Sequence, residues 1–180
     1  MKYERIPYLV AFQNDSGVRD VYGGLAEIVV LECYQLKPEI HSDTVLVFMH
    51  PIGGGAYLPM VNALARAGHH VIYAGSRFRG TDSALIMEKV VQDLGEVVKD
   101  AKTRLGYRKV VLAGWCGGGS LSLYYQQQAA ARDLPPADAI MLLAAHISRH
   151  GTLTEWLDAS ILDESDPSRR DPELDLYNPD

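Results

Sequence analysis

Cys116 stands in the run Gly114-Trp115-Cys116-Gly117-Gly118, between an apolar strand-like segment and a stretch with helical spacing. A strand that turns abruptly into a helix holds the residue at the turn in an exposed, strained position above the sheet. Gly114 and Gly118 leave room there, where a Cβ would collide with the neighbouring strand or helix. The backbone N–H of Gly117 then lies beside the sulfur at a helix N-terminus, whose partial positive charge stabilises a developing oxyanion. Such a position suits a nucleophilic thiol. A glycine-rich connection of this kind can also be purely structural or cradle an anion. The dinucleotide pattern places its three glycines at other spacings, however, and the triphosphate loop needs a Lys after its last Gly; neither occurs here.

A second glycine-rich stretch, His50-Pro51-Ile52-Gly53-Gly54-Gly55, begins where the apolar run Thr44–Met49 stops. Its glycines let backbone N–H groups face a ligand, although a plain turn has the same composition. His50 reads as a residue that fixes this loop through a hydrogen bond rather than one that moves a proton. Arg77, Arg79, Asp82 and Ser83 follow the run His70–Ala74, at the sheet edge where open α/β sheets bind ligands. An Arg there can anchor a substrate carboxylate; pairing of Arg79 with Asp82 to stiffen the loop is the plainer reading. His146 ends the last apolar run, as an ordinary polar cap, a lining residue or a base for Cys116. Cys33, among Ile28, Val29, Val30 and Leu31, reads as a small buried hydrophobe.

The elements that must position these residues are legible as apolar runs alternating with amphipathic stretches. Strands are expected at Tyr8–Phe12, Ala26–Tyr34, Thr44–Met49, His70–Ala74, Lys109–Gly114 and Ala139–Ala144. The last four are short and nearly all apolar, which suits parallel strands buried on both faces. The first two precede the turn signals Asn14-Asp15-Ser16-Gly17 and Leu36-Lys37-Pro38, and are expected to pair as an antiparallel start to the sheet. One helix carries Val90, Leu94, Val97, Val98, Ala101 and Leu105 on one face before Gly106 ends it. A second starts near Tyr57, and a third, with Leu121, Tyr124, Tyr125 and Gln128 on one side, follows Cys116 directly. Residues 1–146 are therefore read as the core. Residues 147–180, rich in Asp, Ser, Arg and Pro, form a cap or surface excursion in which Trp156 and Leu157 either cover the pocket or anchor the segment.

Composition narrows the function classes. The 180 residues are 47% hydrophobic and 22% charged, enough for one domain with a real core. A net charge of −6, from 17 basic and 23 acidic side chains spread along the chain, offers no basic stripe for nucleic acid or an anionic membrane. No stretch has the apolar length of a membrane span or the pattern of a secretory leader, so the expected compartment is the cytoplasm. Cys33 and Cys116 form neither a disulfide framework nor a metal spacing, and Asp163-Glu164-Ser165-Asp166 lacks the pattern of a calcium loop. No metal and no cofactor is expected.

Three ordered features together resemble the α/β-hydrolase superfamily, in its esterase and lipase form: His50-Pro51-Ile52-Gly53-Gly54 after the third strand, Arg79-Gly80-Thr81-Asp82-Ser83 after the fourth, and Gly114–Gly118 after the fifth. The resemblance covers roughly Tyr8 to His146. It implies an α/β fold with a mostly parallel sheet and helices on both faces, incomplete at about six of eight strands. It further implies that Cys116 is the nucleophile of a covalent acyl-enzyme, with an oxyanion hole formed by the N–H of Gly117 and of Ile52 or Gly53. His50, Arg77, Trp115 and His146 are then the substrate-binding candidates, and a carboxylic ester, thioester or lactone is the substrate, with acyl transfer as a variant. Carbon–carbon bond hydrolysis uses the same scaffold.

Two departures qualify this. Most members carry Ser where this chain has Cys116, whereas dienelactone hydrolases and polyhydroxyalkanoate synthases use a thiol there; a Ser-to-Cys replacement made to trap an acyl-enzyme would read identically. The family also supplies its acid and its catalytic His after later strands than the six found here. Ile140-Met141-Leu142-Leu143 would leave an apolar sheet edge uncovered, so a second polypeptide or segment is expected to complete the fold and the triad. A non-catalytic binding module on the same fold is the alternative, favoured by the lack of a visible His/Asp pair and opposed by the intact Cys116 turn and glycine loop.

Overall fold

A computed structural model of the chain describes residues 1–14, 28–53, 59–80, 85–146, 160–163, 165–166, 168–175 and 178. Six strands form one sheet: β1 (Tyr3–Gln13), β2 (Ile28–Pro38), β3 (Thr44–His50), β4 (His70–Gly75), β5 (Lys109–Trp115) and β6 (Ala139–Leu143), in the spatial order β1-β2-β4-β3-β5-β6. β1 pairs antiparallel with β2 and β2 antiparallel with β4, while β4, β3, β5 and β6 run parallel. The expected antiparallel start is present, but Leu36-Lys37-Pro38, expected as a turn, is the last part of β2 and pairs with Arg5, Glu4 and Tyr3. Its strands are longer than the apolar runs, because β1 pairs along its whole length, from Tyr3 opposite Pro38 to Gln13 opposite Ile28.

Helices cover both faces. On one, α2 (Met87–Thr103) and α3 (Gly117–Gln128) bury Val90, Leu94, Val98, Leu121 and Tyr125 against the sheet residues Leu31, Val47, Ile72 and Leu112. On the other, α1 (Pro59–Arg66) packs Val61 and Ala65 on Phe48, Val71 and Tyr73. The two sets alternate along each strand, as the period-two direction of strand side chains requires. The expected face of α2 is buried from Val90 to Ala101, and the chain leaves the helix through Gly106 at φ 76°. The start of α1 near Tyr57 lies outside the described residues.

Strand β4 is buried at every position, and β3 and β5 over most of their length. Strand β6 departs from the expectation of two covered faces, with Leu142 half exposed. It has β5 on one side and ends the sheet among the described residues. Of the excursion, the described residues form turns and an isolated bridge between Ile161 and Arg170.

Candidate active site

The parallel strands β3, β4 and β5 point their carboxyl ends at one edge, and the chemistry-bearing residues gather there. Cys116 links β5 to α3 with φ 55° and ψ −127°, a conformation that a non-glycine residue adopts only at a cost of about 1–3 kcal/mol. Close packing holds it. A Cβ on Gly114 would lie 2.7 Å from Cα of Gly119, and one on Gly118 would lie 2.6 Å from the Met49 carbonyl oxygen. Both expected glycine roles are thus explained by close approach. Gly119 has an equal claim that the spacing argument missed, since its Cβ would lie 2.2 Å from Cβ of Ala145.

The loop after β3 is pinned at each step. His50 Nδ1 accepts the N–H of Gly53 at 2.8 Å and of Ile52 at 3.3 Å. The Tyr73 hydroxyl donates to the Gly53 carbonyl at 2.8 Å, the Gly80 N–H to the Ile52 carbonyl at 2.9 Å, and the Ser76 hydroxyl to the Pro51 carbonyl. A ring nitrogen that accepts two amide protons carries no proton in the neutral imidazole, so the ring proton sits on Nε2. Nε2 faces the Cys116 turn: a Cβ on Gly117 would lie 3.0 Å from it, and the ring stands 6.0 Å from that of Trp115. His50 therefore fixes its loop, as read from sequence, and also bridges that loop to the turn. The Ile52 and Gly53 amides are turned to His50. Gly54 and Gly55 lie outside the described residues.

His146 stands beside the sulfur, with Nε2 at 3.8 Å and Nδ1 at 3.9 Å from Sγ of Cys116. The main chains are joined as well: the His146 N–H donates to the Cys116 carbonyl at 3.0 Å, and the Cys116 N–H to the Leu143 carbonyl at 3.3 Å. Both side chains are half-buried. Cys116, Gly117, Trp115, His50 and His146 thus form one cluster.

Arg77 is occupied elsewhere. Its Nε and Nη2 donate to Oδ1 of Asp93 at 2.8 and 2.7 Å, its backbone N–H to Oδ2 at 2.9 Å, and its Nη2 also to Gln92. Phe12 lies under the guanidinium at 5.6 Å. Asp93 is fully buried; burial pushes its carboxyl upward, and the hydrogen bonds from Arg77 act against that. The pair rivets the end of β4 to α2, a contact across 16 residues that no local pattern announces. Arg79 pairs with Glu32 on the surface, and Asp82 and Ser83 lie outside the described residues. Cys33 is buried, and desolvation pushes its thiol up to about 12, as fits an inert core residue. Among the described residues no cluster of His, Cys, Asp and Glu could hold a metal, and no helix is long and apolar enough to cross a membrane.

No curated protein sequence matches the chain. Among solved structures it resembles a brefeldin A esterase, a bacterial homologue of human hormone-sensitive lipase, with 20% identity and a TM-score of 0.52 over 83% of this chain and 45% of that one. A thermostable carboxyl esterase from Bacillus coagulans gives 15% identity and a TM-score of 0.51 over 79% of this chain and 44% of that one. A hormone-sensitive lipase from a metagenome library gives 17% and 0.53 over 64% of this chain and 41% of that one. The chain thus spans less than half the length of these three structures. The family model for the alpha/beta hydrolase fold matches residues 44–169, from the start of β3 into the excursion, and the chain belongs to that family.

Proposed function

We propose that the protein hydrolyses a carboxylic ester, thioester or lactone through an acyl-enzyme on Cys116, with transfer of the acyl group to another acceptor as a variant of the same chemistry. The observation that carries this reading is the strained backbone of Cys116 at the first turn of α3. Strain at a non-glycine residue persists where the surrounding structure enforces it, and it clusters at functional sites. Sγ attacks the acyl carbon, and the oxygen that gains the electron pair is met by the N–H of Gly117 at the positive end of the helix. The second donor comes from the pinned loop, as an Ile52 or Gly53 amide released from His50. Trp115 and His50 form the wall beside the sulfur.

The His and the Asp or Glu that the fold carries on later strands come from a second polypeptide or segment beyond residue 180, laid against β6. The apolar, half-exposed edge of β6 supports this. Two cysteines outside any disulfide suit a reducing cytoplasm. Intact-protein mass spectrometry after incubation with a panel of p-nitrophenyl esters tests the reading. An acyl adduct on Cys116, lost in Cys116→Ala, is the expected result, together with a companion mass for the completing chain. A protein that never acylates would instead be a binding module on the hydrolase scaffold.

A further inference from the structure

We propose that His146 is the base that takes the proton of Cys116 during acylation, so that the nucleophile is activated within this chain. The inference rests on the reading of Cys116 as the nucleophile, and it assigns to a residue at the end of β6 a step that the fold otherwise leaves to a later strand.

Three features bring the main chain of His146 to the Cys116 turn, from which its imidazole reaches the sulfur. The chain leaves β6 through Ala144 at φ 43°, a left-handed position that disfavours any residue with a Cβ. This strained residue turns the backbone back over the Cys116 turn. The reciprocal backbone bonds, Cys116 N–H to Leu143 and His146 N–H to Cys116, then lock the two segments together. Finally, Gly119 leaves the space that Ala145 fills; a methyl group there would lie 2.2 Å from Ala145 Cβ and lift the Ala145-His146 segment away. An ordinary polar cap on a strand end needs none of these. The sulfur is nearly equidistant from the two ring nitrogens, at 3.8 and 3.9 Å, so the charge of an imidazolium, which is shared by both nitrogens, faces the thiolate as a whole. Neither nitrogen is aimed at Sγ in this geometry, so the ring must turn about its Cβ–Cγ bond for the proton to pass, as catalytic hydrogen bonds tighten when substrate binds.

The Sγ proton passes to His146 as the Sγ–C bond forms and the carbonyl electron pair moves to oxygen. Collapse of the tetrahedral species breaks the bond to the leaving alkoxide or thiolate, which takes the proton back from His146. The products are a thioester on Cys116, a neutral His146 and the free alcohol or thiol. The His from beyond this chain is left with the second half-reaction, in which it deprotonates the water that cleaves the thioester.

The test is the pre-steady-state burst of p-nitrophenolate from p-nitrophenyl acetate in the protein and in its His146→Gln and His146→Ala variants. Loss of a general base lowers the burst rate by about 100-fold or more, and added imidazole restores it in His146→Ala by refilling the vacated space. A purely structural role for His146 would not be rescued by a small molecule. A wild-type burst that persists undiminished in His146→Gln overturns the assignment while leaving Cys116 as nucleophile. A wild-type protein with no burst, and no acyl adduct by mass spectrometry, overturns the nucleophile itself. Should both variants unfold, the wild-type protein decides: carboxamidomethylation of Cys116 must shift the ring-nitrogen resonances of His146, and unshifted resonances refute the contact.

Discussion

At the scale of single residues, the site depends on missing side chains as much as on those present. Gly118 is the clearest case, because its Cβ would stand 2.6 Å from the backbone oxygen of Met49, an atom that cannot rotate away. Gly118→Ala must therefore push α3 off β3, and overpacking of this kind costs about 1–3 kcal/mol. Urea denaturation should show that loss, with acylation of Cys116 falling in parallel as the Gly117 amide moves. His50→Ala tests a different contact: it strips the acceptor from the Ile52 and Gly53 amides, and unsatisfied partly buried donors cost about 1–3 kcal/mol each, less where water reaches them. The expected outcome is lower stability with a raised KM, and unchanged stability would contradict the pinned loop. The turn at Cys116 and the close approaches of Gly114 and Gly118 were legible because a strand that turns sharply into a helix demands small neighbours at fixed offsets. For His146 a cap, a lining residue and a base were all legible, and the choice among them was not, since its approach depends on a left-handed Ala144 and alanine carries no signal for that conformation.

At the scale of elements, two polar contacts join pieces that the apolar core alone would leave free to slide. The first is Arg77 with Asp93, holding the end of β4 to α2. Removing Arg77 leaves a buried carboxylate without its partner, which costs about 3–5 kcal/mol. Arg77→Met should lower the urea midpoint sharply, Arg77→Met with Asp93→Asn should recover most of the loss, and KM in the double variant should stay near wild type. A KM that rises with full stability would restore Arg77 as a substrate anchor. The second contact is Asp138, which accepts the Val110 N–H at 2.8 Å and the Lys102 ammonium at 3.0 Å. These donors hold its carboxyl below the ordinary aspartate value of 3.8. A lowered folded-state value means that the stabilisation is present above the unfolded value and is lost as pH falls through the folded one. The stability difference between wild type and Asp138→Ala should thus hold near neutrality and shrink on acidification below about 3.8. The strands themselves were readable from apolar runs, but the first half of β1 was not. Tyr3 to Pro7 include no fully buried position and owe their strand state to pairing with β2. The Arg77 partnership was equally hidden, because only the fold brings α2 to the end of β4.

At the scale of the whole molecule, the edge of β6, which no strand among the described residues covers, is the feature that the rest of the described structure does not explain. Ala139-Ile140-Met141-Leu142-Leu143 carries no charge, proline or bulge, the usual devices that keep an edge strand from pairing with another chain. On the opposite edge, β1 includes Glu4, Arg5 and Pro7, which blunt it in the ordinary way. The asymmetry argues that the β6 edge is built to be covered. The 180-residue polypeptide on its own should therefore self-associate, with a sedimentation coefficient that rises with concentration, and Leu142→Lys should suppress this because Leu142 is half exposed and a lysine on an edge strand opposes pairing with another chain. In a preparation that holds the completing segment, the edge is already occupied: association should vanish in the unmodified protein, and Leu142→Lys should instead weaken the docking. A wild-type polypeptide that stays monomeric at high concentration without any companion would show that β6 is protected by its own chain, and would remove the main structural support for completion from outside.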